Sequence, residues 1–431
     1  MDTHASRRAT RRPEKLTRAQ AVDLLVQCAA LAAPVARAPW EAVGLVAAQD
    51  VFAPSGVPEC PVSLRDGYAV CAGDTAQATP DQPLRIAALG RLTADARDPA
   101  PLTPGRTVRI LTGAPLPPGA DAVIPFEQLA VRPQEDQDFI FLDAPAQAGT
   151  FILPQGGDLP AGCLLARAGE RISAQAAAVL TRARVEALDI LPRSGFAMFG
   201  LGSELAAPAT HGDPTRIPAD NIVLVTNLLR GWGLDAVRCD VLPDDRTAIA
   251  QVLEQTAQGD ARPALIVTTG GTGRSERDHA RQAAMDADFH PLFQGLDVRP
   301  GKNVFAALRS DPGKPDVLLL GLPGPPAAVF ACLHGLALPL ARHLRGLLPD
   351  AGLQAMLAHG LRTRQGSEWL LPCALELKHA QLSATPLHGE EWPSLRALAR
   401  ARAVAVLPPD SDLASGGLVE LLCATDDLIG L

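Results

Sequence analysis

Leu265-Ile266-Val267-Thr268-Thr269-Gly270-Gly271 and Val317-Leu318-Leu319-Leu320-Gly321-Leu322-Pro323-Gly324 decide the fold. Each is a short, unbroken apolar run closed by glycine. Such a run, too short for a helix and bounded by a turn signal, reads as a strand buried on both faces. Phe196–Leu201 has the same texture, and Ala236–Leu242 alternates. Helical patterns lie between them. Asn221–Leu229 stops at Gly231, and Asp245 caps a helix with Ile249, Val252 and Leu253 on one face, ending near Gly259. A long helix, about 326–344, follows the last turn. Strand–helix repetition with glycine-rich turns predicts a doubly wound, parallel α/β sheet over 195–347. Ligands of such sheets bind beyond the carboxyl ends of the strands, so the two glycine-rich turns are the first candidate site.

Outward from that sheet, Thr17-Arg18-Ala19-Gln20 has capping-box spacing, and Val22, Leu25, Val26 and Ala29 follow at helical period, which predicts a helix over 18–33. Residues 1–15 read as a disordered tail. From 51 to 150 short apolar runs alternate with Pro/Gly turns (Val108–Leu111, Ala122–Pro125, Phe139–Leu142), the pattern of a small β-rich domain. The apolar helix Ala174–Ala183 is expected to pack back onto the first helix, making that β-rich domain an insertion. Leu353–Leu361, Leu370–Leu377, Val404–Leu407 and Leu418–Leu422 make a last small β domain. The expected division is 16–50 with 151–194, then 51–150, 195–347 and 348–431.

The chain has 431 residues, 47% hydrophobic and 20% charged, which excludes a mostly disordered protein. A net charge of −8 argues against broad binding to nucleic acid or anionic membranes. The eight cysteines include no C-x-x-C pair and no zinc spacing, as expected of single thiols in a reducing cytoplasm. No apolar segment follows the basic residues Arg7, Arg8, Arg11 and Arg12, so a secretory signal is not expected. No apolar run is judged to approach the ~20 residues of a membrane span.

Several segments carry candidate chemistry. Gly270-Gly271-Thr272-Gly273-Arg274-Ser275-Glu276-Arg277-Asp278 lets backbone N–H groups approach an anion, yet it is neither a Walker A loop nor G-x-G-x-x-G. Read alone, it serves equally as a structural turn. Arg299-Pro300-Gly301-Lys302 sets one of only four lysines beside an arginine, a pair suited to phosphate or merely to solvent. Ser63–Ala69 contains an Asp-Gly turn and the single tyrosine, Tyr68, whose ring could equally be a core anchor. Asp158 lies in a Gly-Gly-Asp turn. Glu204, Asp244 and Asp278 fall at strand carboxyl ends, where carboxylates could hold Mg²⁺ together with waters and substrate phosphates. Asp245, by contrast, has a capping role.

Taken together these segments resemble the molybdopterin molybdenumtransferase family, MoeA and the gephyrin E domain. Ser63–Val70 is similar to S-x-M-D-G-Y-A-V, with Arg65 for the methionine, and Arg109–Val123 is similar to R-I-M-T-G-A-P-x-P-x-G-A-D-A-V. Thr269-Gly270-Gly271 with Asp278 resembles S-G-G-V-S-x-G-x-x-D, Pro300-Gly301-Lys302 resembles K-P-G-K-P, and Gly321–Pro326 resembles G-L-P-G-N-P. The order is kept over roughly 17–407.

The resemblance implies an elongated homodimer with an inserted β domain, an α/β sheet domain and a C-terminal β-barrel. It implies molybdate and adenylated molybdopterin as substrates, with Mg²⁺ and release of AMP, in molybdenum cofactor biosynthesis. Other proteins of that biosynthesis are implied as partners. It implies catalytic roles for Asp66, Thr112, Asp244, Asp278, Lys302 and Arg299, and metal binding by Glu204, Asp244 and Asp278. Substrate would be bound by Gly270, Gly271, Arg274, Ser275, Gly301, Gly324 and Asp158. The cationic half departs from the pattern: Arg299 replaces the first motif lysine, a lysine four residues upstream falls at Gly295, and Leu153-Pro154-Gln155 replaces arginines. G-N-P has become Gly324-Pro325-Pro326, and Gly389-Glu390-Glu391 sets acids where the family has a hydroxyl. Arg274 and Arg277 are new cations. The alternative implied by these changes is a catalytically impaired paralogue that binds molybdopterin or acts as a scaffold.

Overall fold

The computed structural model describes residues 15–134, 137–207, 215–271, 279–348, 352–363, 366–387 and 395–424. Contacts divide the chain into two compact units, Ala36–Ile190 and the remainder.

The larger unit is built on a six-stranded sheet in the order Asp235–Leu242, Gly195–Leu201, Leu265–Thr269, Val317–Leu322, Phe305–Arg309, His290–Gln294. The first four strands are mutually parallel. The last two run antiparallel, with Phe305 opposite Gly321 and Gln294 opposite Phe305. The sheet is therefore mixed: a parallel doubly wound core carries an antiparallel edge that the sequence pattern does not announce. Phe196, Met198, Leu265, Val267, Leu318 and Leu320 fill one face, and Ala197, Phe199, Ile266, Leu319 and Val317 the other. Burial on both faces is why these strands read as unbroken apolar runs.

The helix Arg18–Cys28 is capped reciprocally by Thr17 and Gln20, a motif that contributes about 1 kcal/mol. It ends five residues before the expected boundary. Ala29 turns extended there, its carbonyl oxygen 3.1 Å from His343 Nε2. Ala21 and Leu25 are fully buried in the sheet unit's core, against the helix Leu338–Leu344. Within the unit Ala36–Ile190, the expected helix Ala174–Ala183 is formed over Ala174–Arg182, N-capped by Ser173, with Ala177 and Leu180 buried. Of the expected tail only Lys15 is described, residues 1–14 lying outside the described residues; the next residue, Leu16, bridges Leu296.

Within the 19-residue helical run Pro326–Leu344 an 18-residue window has mean hydropathy 1.4, long and apolar enough to cross a membrane by composition. This corrects the expectation that no run approaches that length. In the structure 83% of it is buried within the protein, which is how a core helix of a globular unit behaves. A five-residue π-helical segment, Leu333–Ala337, interrupts it at the buried His334.

Glu368–Lys378, Gln381–Pro386, Leu353–Leu357, Leu418–Leu422 and Ala403–Leu407 close on themselves through the pairing of the first with the last, giving a five-stranded barrel. Val298–Arg299 adds to it beside Glu368 and Trp369.

In the unit Ala36–Ile190, a six-stranded sheet runs in the order Ala122–Pro125, Gly67–Val70, Arg106–Ile110, Leu84–Leu92, Gln137–Leu142, Ala130–Gln134. Tyr68, 2% exposed, anchors its core edge-on to Phe126 with ring centroids 5.5 Å apart. The tyrosine is a packing residue.

Candidate functional site

Strand order fixes where a ligand can enter. The chain leaves Gly195–Leu201 for the strand on one side and later returns to Leu265–Thr269 on the other, so the crevice opens between the carboxyl ends of these two strands. Gly270 packs against the Leu201 backbone at this end. A Cβ on Gly270 would stand 2.6 Å from the Leu201 carbonyl oxygen, and its φ of +86° is in the glycine region.

Gly202, Ser203 and Glu204 form the turn on one side, with Leu205 N–H donating to Gly202 O at 3.1 Å. The Glu204 carboxylate folds over Gly202, its oxygens 2.7 and 2.9 Å from where a Cβ would be. Asp244 and Ser203 latch reciprocally. Ser203 N–H donates to Asp244 Oδ2 at 3.3 Å, and Asp244 N–H donates to Ser203 Oγ at 3.1 Å. Asp245 is occupied as expected, its Oδ1 accepting Ala248 N–H at 2.7 Å at the helix N-cap. Beside this latch lies a cleft of about 660 Å³ lined by Gly202, Ser203, Leu205, Arg216, Val241 and Pro243. Ser203 and Arg216 were missed by sequence reasoning. Ser203 adjoins a predicted acid, but Arg216 lies in a segment without periodicity.

The antiparallel edge brings a further loop to the same end of the sheet. Because Gln294 pairs with Phe305 and Phe305 with Gly321, residues 295–304 emerge where Val317–Leu322 ends. Gly295 N–H donates to Val304 O at 2.7 Å, and the Gly301 carbonyl accepts from Leu296 and Val304, both at 3.2 Å. Lys302 is exposed on this loop. Arg299 is not set beside it as a free partner: its guanidinium stacks 4.9 Å from the Trp369 ring centroid on the barrel. Gly324 follows the last parallel strand, and its carbonyl accepts Asn221 Nδ2–H at 2.7 Å. Asn221 Oδ1 is buried without a hydrogen-bond partner, a third polar residue that sequence reasoning missed.

In the other unit, Thr112 N–H and Thr112 Oγ1 both donate to Asp66 Oδ1 at 2.7 Å. These two bonds, aided by the charges of Arg109 and Arg91, hold the Asp66 carboxyl below the usual carboxylate range. Gly67, next in the chain, lets the neighbouring strand Ala122–Pro125 close on it: a Cβ there would meet Ile124 O at 2.1 Å. Asp158 is exposed on the turn after Ile152–Leu153.

The structure thus brings Glu204, Asp244, Gly270 and Gly271 to one crevice, with Gly301, Lys302 and Gly324 along the same edge. It pairs Asp66 with Thr112 in the other unit. Arg274, Ser275 and Asp278 lie outside the described residues, as do Arg277 and Gly389-Glu390-Glu391. Among the described residues there is no group of three His, Cys, Asp or Glu side chains that could hold a metal. Glu204 and Asp244 alone offer hard oxygen donors, the kind Mg²⁺ takes in ones or twos together with waters and phosphates.

Residues 16–183 match the MoeA N-terminal region (domain I and II), and residues 197–343 match a probable molybdopterin binding domain. The chain is 29% identical over 317 residues to molybdopterin molybdenumtransferase 2 of Mycobacterium tuberculosis, covering 72% of this chain and 75% of the relative. It is 27% identical to molybdopterin molybdenumtransferase of Synechococcus elongatus, covering 92% of this chain and 96% of the relative. The crystal structure of the molybdopterin biosynthesis MoeA protein of Pyrococcus horikoshii superposes with a TM-score of 0.82 at 24% identity, over 95% of this chain and 99% of that one. The sheet, the barrel and the matched segments together make this chain a member of the MoeA family.

Proposed function

We propose that the protein is a molybdopterin molybdenumtransferase, acting in the cytoplasm in molybdenum cofactor biosynthesis. It takes adenylated molybdopterin and molybdate, cleaves the adenylate and leaves molybdenum on the dithiolene. The observation that carries this reading is the crevice at the strand switch point, where the Ser203 latch holds Asp244, Glu204 folds over Gly202, and Gly270 packs on the Leu201 backbone.

Glu204 and Asp244 would hold the divalent ion, with Asp278 as a third acid. When bound, Mg²⁺ neutralises phosphate charge and polarises the bond to be cleaved. The Ser203 latch fixes Asp244, so that one carboxylate oxygen is oriented before ligand arrives. Gly270 and Gly271 let backbone approach the phosphate, and Lys302 supplies the positive charge that an acidic crevice needs to accept an anion. Arg274 and Ser275 would extend the phosphate contacts. Asp66 stays ionised through Thr112 and, with Asp158, is read as completing the site of a second copy in a homodimer. Arg299 retains its charge over Trp369 and acts at longer range.

Titration of the full chain with adenylated molybdopterin, with and without Mg²⁺ and molybdate, tests this. Tight binding and Mg²⁺-dependent release of AMP are expected. Binding without AMP release would favour the scaffold reading, for which the stacking of Arg299 on Trp369 is the supporting observation. Absence of binding overturns both.

A further inference from the structure

The Lys15–Leu16 segment lies along the same edge as the Lys302 loop. Leu16 forms a parallel bridge with Leu296, and its carbonyl accepts Asp297 N–H at 2.9 Å. This register lays Lys15 over Gly295: the Lys15 Cε is 3.8 Å from where a Cβ on Gly295 would stand, and the Lys302 carbonyl oxygen is 2.6 Å from that same point. Gly295 itself cannot easily carry a side chain, since its φ is +73° and that carbonyl blocks the position. The lysine stem therefore occupies space that position 295 leaves bare.

We propose that Lys15 is a ligand-binding residue, the second ammonium group of the anion site beside Lys302. This rests on the reading of the strand-end crevice as the phosphate site. The segment is held firmly enough for the role. It runs directly into the capped helix whose Ala21 and Leu25 are buried, and Arg18 pairs with Glu368 at 2.7 Å. Lys15 is exposed, so its charge is available to a ligand. The acid in the facing strand, Asp297, accepts instead from Ser367 Oγ at 2.7 Å. A lysine stem lying along backbone with its charged head in water is the usual behaviour of this side chain at a surface.

The test is calorimetric titration of the full chain with adenylated molybdopterin at low and high salt, comparing wild type, Lys15→Ala, Lys15→Arg and Lys302→Ala. Lys15→Ala is expected to weaken binding about tenfold, the loss of one charge-assisted contact, and to reduce its salt dependence. Lys15→Arg should recover most of the loss, with thermal stability unchanged in both variants. Wild-type affinity and salt dependence in Lys15→Ala, while Lys302→Ala is weakened, would overturn the role of Lys15 and leave the site intact. Failure of the wild type to bind would overturn the site and Lys15 with it.

Discussion

Two glycine-rich turns end neighbouring parallel strands, and they are glycine-rich for different reasons. In the turn after Leu265–Thr269, Gly270 is demanded by backbone, with a positive φ and the Leu201 carbonyl where a Cβ would go. At the end of Val317–Leu322, Gly321 is demanded by a side chain, since a Cβ would stand 2.0 Å from Phe305 Cε1. Three residues on, Gly324 meets nothing within 4 Å and needs no unusual backbone conformation. A glycine that packing does not require, at the carboxyl end of a parallel strand, is one a ligand can explain.

The comparison sets an order of effects. Gly321→Ala should be the most damaging, because the Phe305 ring is buried and has nowhere to go; about 3 kcal/mol of stability lost is expected in denaturant titrations.

Next comes acidification of the helix that the second turn introduces. Burial pushes the His334 imidazole down to about 4, from an ordinary 6.5. Between those values the unfolded chain takes up a proton that the folded one refuses. Stability should therefore fall as pH drops from 6.5 toward 4, by about 3 kcal/mol, then level off. His334→Leu should flatten that part of a melting-temperature profile.

Gly270→Ala should cost about 1–3 kcal/mol, part backbone strain and part the displaced Leu201 carbonyl. Gly324→Ala is expected to change stability by less than about 0.5 kcal/mol. It should nevertheless weaken binding of adenylated molybdopterin. Equal destabilisation of the Gly270 and Gly324 variants in thermal melts would erase the distinction between the two turns.

Much of the sheet was legible because its strands are buried on both faces. Leu265–Thr269 was read with both boundaries correct, and Asp245 announced its helix through capping chemistry. The antiparallel edge was hidden: His290–Gln294 is short, contains Pro291 and exposes most of its residues, so it carries neither an apolar run nor clean alternation. The crevice acids Glu204 and Asp244 were legible from their places after strands. Their latch through Ser203 was not, since it joins two loops 41 residues apart. The placing of Arg299 on Trp369 and of Lys15 over Gly295 depends on contacts far apart in sequence, which no local pattern encodes. The first helix shows the same limit. Its apolar face was plain, but sequence alone could not say which partner would cover it.

The central claim is that the strand-end crevice binds an anionic substrate whose charge Lys302 balances. Single-turnover AMP release by Lys302→Ala at saturating Mg²⁺ tests it most directly. Loss of about 2–4 kcal/mol of transition-state stabilisation is predicted, as for removal of one preorganised electrostatic group, with Lys302→Arg only partly active. Wild-type rates in Lys302→Ala would contradict the account.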